Sequence, residues 1–350
     1  MSTRSFILRH KRGLLCMSLV MMIMRIILDR TSTHLSSKSN QRPNDTSSSR
    51  QSTVTTDSDI RKELENILKL CPSSVGRLGN QMFAYASTYG IARSVNRTMV
   101  ISNDHILRNV FKLTAYVMPN RSFSCTRWKQ VAPKFSGRFD GNIYNRVIGN
   151  KCDIMLIKYL QSWKYFEKYK SEILLEFSLK DELKVMADSI LHQAAKSVSM
   201  DSEEGNTATY IGVHIRRGDL LFDSKVQFGY NVATGTYIKH SITYFLSKFS
   251  NPVFIVCSTT LDWAKEELRD LTNVYIKYVY TKNRPEVDFA VLVACNHTIM
   301  TVGTFGWWAG YLAGGDVIYY KYPVRNNSKL REQLDSSFSD YFPSHWIGMG

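Results

Sequence analysis

The chain predicts an α/β fold built on a parallel sheet, and three features of its second half carry that expectation. Short apolar, β-favouring runs alternate there with helical segments, a spacing that requires right-handed crossover connections. The first run, Tyr210–Ile215, is followed at once by Arg216-Arg217-Gly218-Asp219. A later run, Thr298–Val302, turns through Gly303-Thr304-Phe305-Gly306 into the next helical segment. Open α/β sheets bind ligands at the carboxyl ends of their strands, so both strand ends are candidate sites.

The amino terminus comes first in the chain. Arg4, Arg9, Lys11 and Arg12 precede a mostly apolar run, Gly13–Leu28, whose only charge is Arg25. This pattern predicts a cytoplasmic tail over 1–12 and a signal-anchor over 13–28, with the rest of the chain translocated. The run is shorter than the roughly 20 residues a span prefers. No small-residue cleavage site follows Leu28 directly, which favours an anchor over a cleaved signal peptide. Residues 29–66 are dense in Ser, Thr, Asn and Gln and predict a flexible stem. Asp57-Ser-Asp59 lies within it; with no strand beneath, the pair reads as solvated charge and not as a metal site.

Composition narrows the function classes. Lys and Arg number 45 against 30 Asp and Glu, a formal charge of +15 at pH 7, so an anionic partner is expected: nucleic acid, membrane surface or phosphorylated ligand. The secretory anchor and the absence of a groove-reading motif exclude nucleic acid. Of the six cysteines, Cys16 lies in the apolar run, leaving five for a lumen where one or two disulfides form and at least one thiol stays free. Cys257 and Cys295 sit in apolar segments and read as buried thiols. Sequons at Asn44, Asn96, Asn120, Asn296 and Asn326 fit a luminal address.

Folded structure is expected from about Ile67. Gly76-Arg77-Leu78-Gly79-Asn80-Gln81 reads as a glycine-punctuated loop entering an amphipathic helix to about Val95, with Asn80 as N-cap. Thr98–Ser102 is the next strand, and residues 103–150 carry no clear pattern. Tyr159–Phe166 reads as a strand followed by a helix through about Leu191, its aromatics better suited to core than to a sugar platform. Polar residues 196–208 mark a linker. Beyond it, strands at 209–215, 252–257, 274–279, 298–302 and 316–320 alternate with helices at 235–249, 261–271, 286–294 and 304–312. This half is Rossmann-like but lacks the Gly-x-Gly-x-x-Gly fingerprint, so a mononucleotide is favoured over a dinucleotide.

The candidate chemistry follows from residue types. Arg216 and Arg217, always charged and fork-shaped, suit a diphosphate. The free N–H groups at the helix starting at Thr304, with its hydroxyl and neighbouring Phe305, form a second anion-binding element. Asp288 is placed to accept bonds from a ribose or base, or to form a helix-face salt bridge. His214 is placed to bond Asp219 or substrate, or to serve structure alone. Asp219, the nearest carboxylate, is a candidate general base, with orienting the arginines as its alternative role.

Gly76–Met82, Gly212–Asp219 and Asn296–Asp316, with Tyr159–Phe166 and Tyr341–Trp346, resemble the motifs of α-1,2-fucosyltransferases, glycosyltransferase family 11. The resemblance runs from about Pro72 to Trp346. It implies a GT-B-type fold, two Rossmann-like domains facing a cleft: an acceptor-side domain over 67–200 and a GDP-fucose-binding domain over 201–346. It further implies inverting, metal-independent transfer of fucose from GDP-β-L-fucose to the 2-hydroxyl of a terminal β-galactoside, with no cofactor. Arg216 and Arg217 would neutralise the departing GDP, and Arg77, Asn80 and Gln81 would reach the donor from the first domain. The anchor and stem match the family's Golgi type II layout, with a homodimer left open. Transfer to a different hydroxyl or sugar, and an inactive sugar-nucleotide-binding protein, are the alternatives. Trp307 departs from similar vertebrate motifs, which carry Phe there.

Overall fold

The computed structural model describes residues 67–118, 124–199 and 208–350. The expected tail, anchor and stem, with Asp57, Asp59 and the sequons at Asn44 and Asn120, lie outside the described residues. Within them, no helix is long and apolar enough to cross a membrane.

Two parallel sheets organise the described chain. The first contains β1 (Lys69–Pro72), β2 (Thr98–Ile101), β3 (Tyr116–Val117), β4 (Lys129–Val131) and β5 (Ile154–Leu156), in the order β3-β2-β1-β5-β4. Helix α1 (Leu78–Val95) connects β1 to β2, and α2 (Asn142–Ile148) connects β4 to β5. Two helices, α3 (Lys170–Glu176) and α4 (Asp181–Ser199), lead away from this sheet.

The second sheet contains β6 (Thr209–Ile215), β7 (Pro252–Ser258), β8 (Tyr275–Val279), β9 (His297–Met300), β10 (Val317–Tyr320) and β11 (Ile347–Met349). Between them run α5 (Asp223–Phe228), α6 (Gly235–Lys248), α7 (Leu261–Glu267), α8 (Pro285–Val293), α9 (Thr304–Ala313) and α10 (Lys329–Glu332). The strand order is β8-β7-β6-β9-β10-β11, all parallel. Counted from β6, this is the 3-2-1-4-5-6 order of a doubly wound sheet, and its order reverses between β6 and β9. Every residue of β7 is buried, as a central parallel strand demands. The Thr234 hydroxyl accepts the Tyr237 N–H at 3.2 Å and starts α6, while Pro285 opens α8.

Three expectations change. Helix α1 is not amphipathic: Gly79, Gln81–Thr88 and Gly90–Ala92 are all buried, because its own sheet covers one side and α9 packs on another. Its N-cap is Arg77, with no side-chain cap bond, and Asn80 lies inside the first turn. Tyr159–Phe166 is no strand; Lys158 and Leu160 take φ of 64° and 47°, and Trp163–Tyr165 forms a 3₁₀ turn. The helix expected to run through Leu191 breaks at Phe177–Lys180, where the Phe111–Leu179 bridge intervenes. Its second part, α4, continues to Ser199, past the expected start of the linker, and packs along α8 of the second sheet. Residues 200–207 lie outside the described chain.

One apolar core therefore runs through both halves, drawing on α1, α4, α8 and α9. Phe83 meets Trp307 at 4.5 Å between ring centroids, and Phe166 stacks on Trp308 at 5.4 Å. A second core fills the other face of the β6–β11 sheet. A disulfide joins Cys71 to Cys125, while Cys257 and Cys295 are buried free thiols and Cys152 is an exposed one.

Candidate active site

Ligand crevices in doubly wound sheets open where strand order reverses, here beyond the carboxyl ends of β6 and β9. Arg216 stands at that point. Its N–H donates to the Thr301 hydroxyl at 2.9 Å, which ties the end of β6 to the end of β9. Its Nε and Nη2 donate to the two oxygens of Asp219 at 3.0 and 2.7 Å. The turn Gly218–Leu221 makes this fork possible by folding Asp219 back onto its neighbour. From the loop before α1, Arg77 Nη2 also donates to Asp219, at 3.0 Å. Arg77 is 83% exposed and Arg216 only 22%, so the same carboxylate serves one solvated and one largely desolvated guanidinium.

The second wall is the β9–α9 junction. Gly303 takes φ +101°, and a Cβ there would sit 2.6 Å from Arg216 Nη1, so the guanidinium lies against bare backbone. The Thr304 hydroxyl donates to Asn80 Oδ1 at 2.9 Å, and Gln161 Nε2 donates to the same oxygen at 3.0 Å. A Cβ on Gly79 would lie 2.6 Å from the Thr304 carbonyl carbon. The amino ends of α1 and α9 are thus in contact, and each contributes unpaired N–H groups and a positive dipole end.

Electrostatics separates the remaining candidates. The Arg216 hydrogen bonds, followed by the charges of Arg216 and Arg77, hold the Asp219 carboxyl below its usual range despite partial burial. A carboxylate held this way is a weak proton acceptor at neutral pH, and the geometry suits orientation of Arg216 better than general-base work. His214 is buried, its Nδ1 has no hydrogen-bond partner, and it makes no bond to Asp219. Burial, reinforced by Arg216, lowers its pKa to about 3, so it is neutral. Its ring lies 5.1 Å from Phe305, which also meets Phe289 at 5.1 Å.

Several sequence candidates face elsewhere. Arg217 does not stand beside Arg216: its guanidinium lies 4.3 Å over the Trp263 ring, on α7. Arg217 has already left the extended run of β6, at φ −136° and ψ −60°, and its side chain goes to α7 instead of joining Arg216 in a single fork. Gln81 is turned inward, with Nε2 donating to the Gly76 carbonyl at 2.9 Å and Oε1 buried without a partner. Asp288 forms no salt bridge; its Oδ1 accepts the N–H and hydroxyl of Thr281 at 2.9 and 2.7 Å, and burial raises its pKa. Trp307 belongs to the core between α1 and α9, with Nε1 donating to the Tyr341 carbonyl at 2.8 Å. Asn96, Asn296 and Asn326 are all exposed, and the Asn296 side chain accepts the Tyr210 N–H at 2.8 Å.

Two phenols stand at the crevice: Tyr341, which opens the closing motif Tyr341–Trp346, and Tyr230, which carries no signal in the sequence. The Arg216 guanidinium lies 5.7 Å from the Tyr230 ring centroid, and Tyr341 is close enough to feel the same charge. Burial raises both phenol pKa values. Gly229, at φ +117°, turns the chain into Tyr230; a lone Gly-Tyr pair is too common to be noticed without that context.

A parallel sheet with a largely desolvated, carboxylate-held guanidinium and two helix amino ends at its switch point is arranged to suit an anionic ligand. Comparison with known proteins makes the class specific. The model of Glycosyl transferase family 11 matches residues 46–350, and the chain belongs to that family; it is a glycosyltransferase. The galactoside alpha-(1,2)-fucosyltransferase 2 of Pongo pygmaeus is 33% identical over 256 residues, covering 71% of this chain and 70% of that protein. The Sus scrofa protein of the same name is 31% identical over 308 residues, 85% of this chain and 84% of its own. Among solved structures, NodZ alpha-1,6-fucosyltransferase soaked with GDP-fucose superposes with a TM-score of 0.47 at 14% identity, covering 73% of this chain and 95% of that one. A superposition that loose contributes nothing to the functional reading.

Proposed function

We propose that this glycosyltransferase moves L-fucose from GDP-β-L-fucose to the 2-hydroxyl of a terminal β-galactoside, inverting the anomeric centre and using no metal. The names of the related enzymes support fucose as the sugar moved, a galactoside as acceptor and the 1,2 linkage. The observation that carries the reading is the arginine at the switch point, held by Asp219 against the bare backbone of Gly303. As the acceptor hydroxyl bonds to the fucose anomeric carbon it gives up its proton to water, the bond to the diphosphate breaks and negative charge grows on GDP. Arg216 and the N–H groups of α9 are placed to receive that charge without reorganising, which is where electrostatic catalysis is strongest. Arg77 and Asn80 approach the same crevice from the first sheet. Asp219 orients Arg216 and balances its charge until donor arrives. Arg217, on Trp263, and Asp288, beside the end of β8, are assigned to the nucleoside side of the donor.

The proposal extends to location: residues 13–28 anchor the chain in the Golgi membrane, single-pass and type II, with the folded part luminal. The test is product analysis with the purified full chain, GDP-fucose and a β-galactoside. GDP release with an α-1,2-linked product is expected, and activity is expected to survive chelator. A product fucosylated only at another position would remove the linkage assignment, and GDP-fucose binding without turnover would favour the inactive binding protein.

A further inference from the structure

The protein's positive charge is unevenly distributed. Residues 67–199 hold 20 Lys and Arg against 9 Asp and Glu, whereas residues 208–350 hold 14 against 12. Within the first half, residues 127–170 hold 10 against 3. Some of this excess is spent internally: Arg146 pairs with Asp140 and Lys164 with Asp340. Among the described residues, Lys134, Arg138 and Lys158 form no ion pair with a carboxylate. All three gather around Phe135, just past the carboxyl ends of β4 and β5. Arg138 lies 4.3 Å over the Phe135 ring and donates to the Glu332 and Leu334 carbonyls. The Lys134 ammonium lies 5.4 Å from the same ring. Lys158, bent at φ 64°, sets its ammonium on the Pro133 and Lys134 carbonyls at 3.2 and 3.4 Å. Lys134 and Lys158 are both exposed.

This ridge borders the crevice. The Gln161 N–H donates to the Ser136 carbonyl at 2.7 Å, and the Gln161 side chain donates to Asn80, which accepts from Thr304. Tyr159, next to Lys158, is close enough to Tyr230 to raise its pKa, and Tyr230 lies under Arg216. The ridge therefore adjoins the crevice on the first-sheet side, the half that the fucosyl-transfer reading gives to the acceptor. Exposed ammonium groups beside the crevice suit a sugar that carries a negative charge.

Resting on the fucosyl-transfer reading, we propose that the preferred acceptor is an anionic glycan: a β-galactoside whose neighbouring sugar bears a sulfate or carboxylate, received by Lys134 and Lys158. The test uses the full chain and three acceptors, lactosamine, lactosamine 6-sulfated on its N-acetylglucosamine, and a β-galactosyl-glucuronate. At low salt, kcat/KM for at least one charged acceptor is expected to exceed that for lactosamine by about 10-fold, or ~1.4 kcal/mol. The preference should fall to within about twofold near ~0.5 M NaCl, where the screening length is only roughly 4 Å. The two charged acceptors show which anion is read. In the double variant Lys134→Gln, Lys158→Gln the preference should vanish while the lactosamine rate and the melting temperature hold. Equal use of neutral and charged acceptors, or a preference that survives in the double variant, overturns the proposal. If nothing is fucosylated, the transfer reading fails by itself, and direct binding of the sulfated disaccharide decides this one. Salt-sensitive binding lost in the double variant supports it, and no binding overturns it.

Discussion

Asp219 shows how one side chain's role depends on its partners. A carboxylate near a diphosphate site suggests a base, yet both its oxygens are occupied by guanidinium N–H groups and its pKa is depressed. The two roles give opposite results in Asp219→Asn. Orientation predicts a drop in GDP affinity of about 10-fold or more, from one lost charge-assisted fork, with the pH profile of kcat unchanged in shape. A base role predicts unchanged GDP affinity and loss of the acid limb; calorimetry with GDP and a pH–rate series separate them. Arg216→Lys tests the same fork from its other side. A single ammonium replaces neither the planar pair of bonds nor the contact with Gly303, so kcat/KM should fall roughly 10²–10³-fold. The Gly303 backbone is equally strict. Gly303→Ala forces an L residue to φ +101° and drives a methyl into Arg216, so donor binding should be lost while the fold survives.

Among the elements, α1 and α3 are joined by paired tyrosine–glutamate contacts at helical spacing. Tyr85 and both donors of Thr114 bond Glu176, which is 2% exposed; Tyr89 and Arg93 bond Glu172. Removing a buried acceptor strands its donors, so Glu176→Ala should destabilise by about 2–4 kcal/mol, read as a lower denaturation midpoint with the slope unchanged. None of this was visible in the sequence. Nothing in the local sequence sets Glu172 and Glu176 apart from other helix acids, and α1 looked amphipathic because Ser87, Thr88 and Gln81 count as polar. All three are nevertheless buried: Ser87 donates to the distant Leu160 carbonyl, and Gln81 Nε2 donates to the nearby Gly76 carbonyl.

For the whole molecule, two buried histidines set the acid limit of stability. Burial lowers the pKa of His105 to about 4 and of His214 to about 3, from 6.5. Between pH 6.5 and about 4 the unfolded chain binds protons that the folded one refuses. Stability is complete above pH 6.5 and drains as pH falls, by roughly 1.4 kcal/mol per unit for each histidine. Melting curves from pH 7 to 4 should show this decline. The slope should flatten in His105→Asn once allowance is made for that variant's own loss, since His105 also accepts the Leu107 N–H.

Local alternation of apolar runs with helical segments was enough to reveal the second sheet, its parallel sense and the two strand ends that face the crevice. It works because strand and helix periods are properties of neighbouring residues, and because Arg216, Asp219, Gly303 and Thr304 lie directly at element ends. The partition of Arg216 from Arg217, the inward turn of Gln81, the meeting of Gly79 with Thr304 and the tyrosines beneath the guanidinium came only with the assembled molecule. Those depend on contacts between residues tens to hundreds of positions apart, and on which side of a strand end each chain emerges. Spacing along one sequence carries no record of that geometry. Packing one helix, α1, against both its own sheet and α9 of the other decided it.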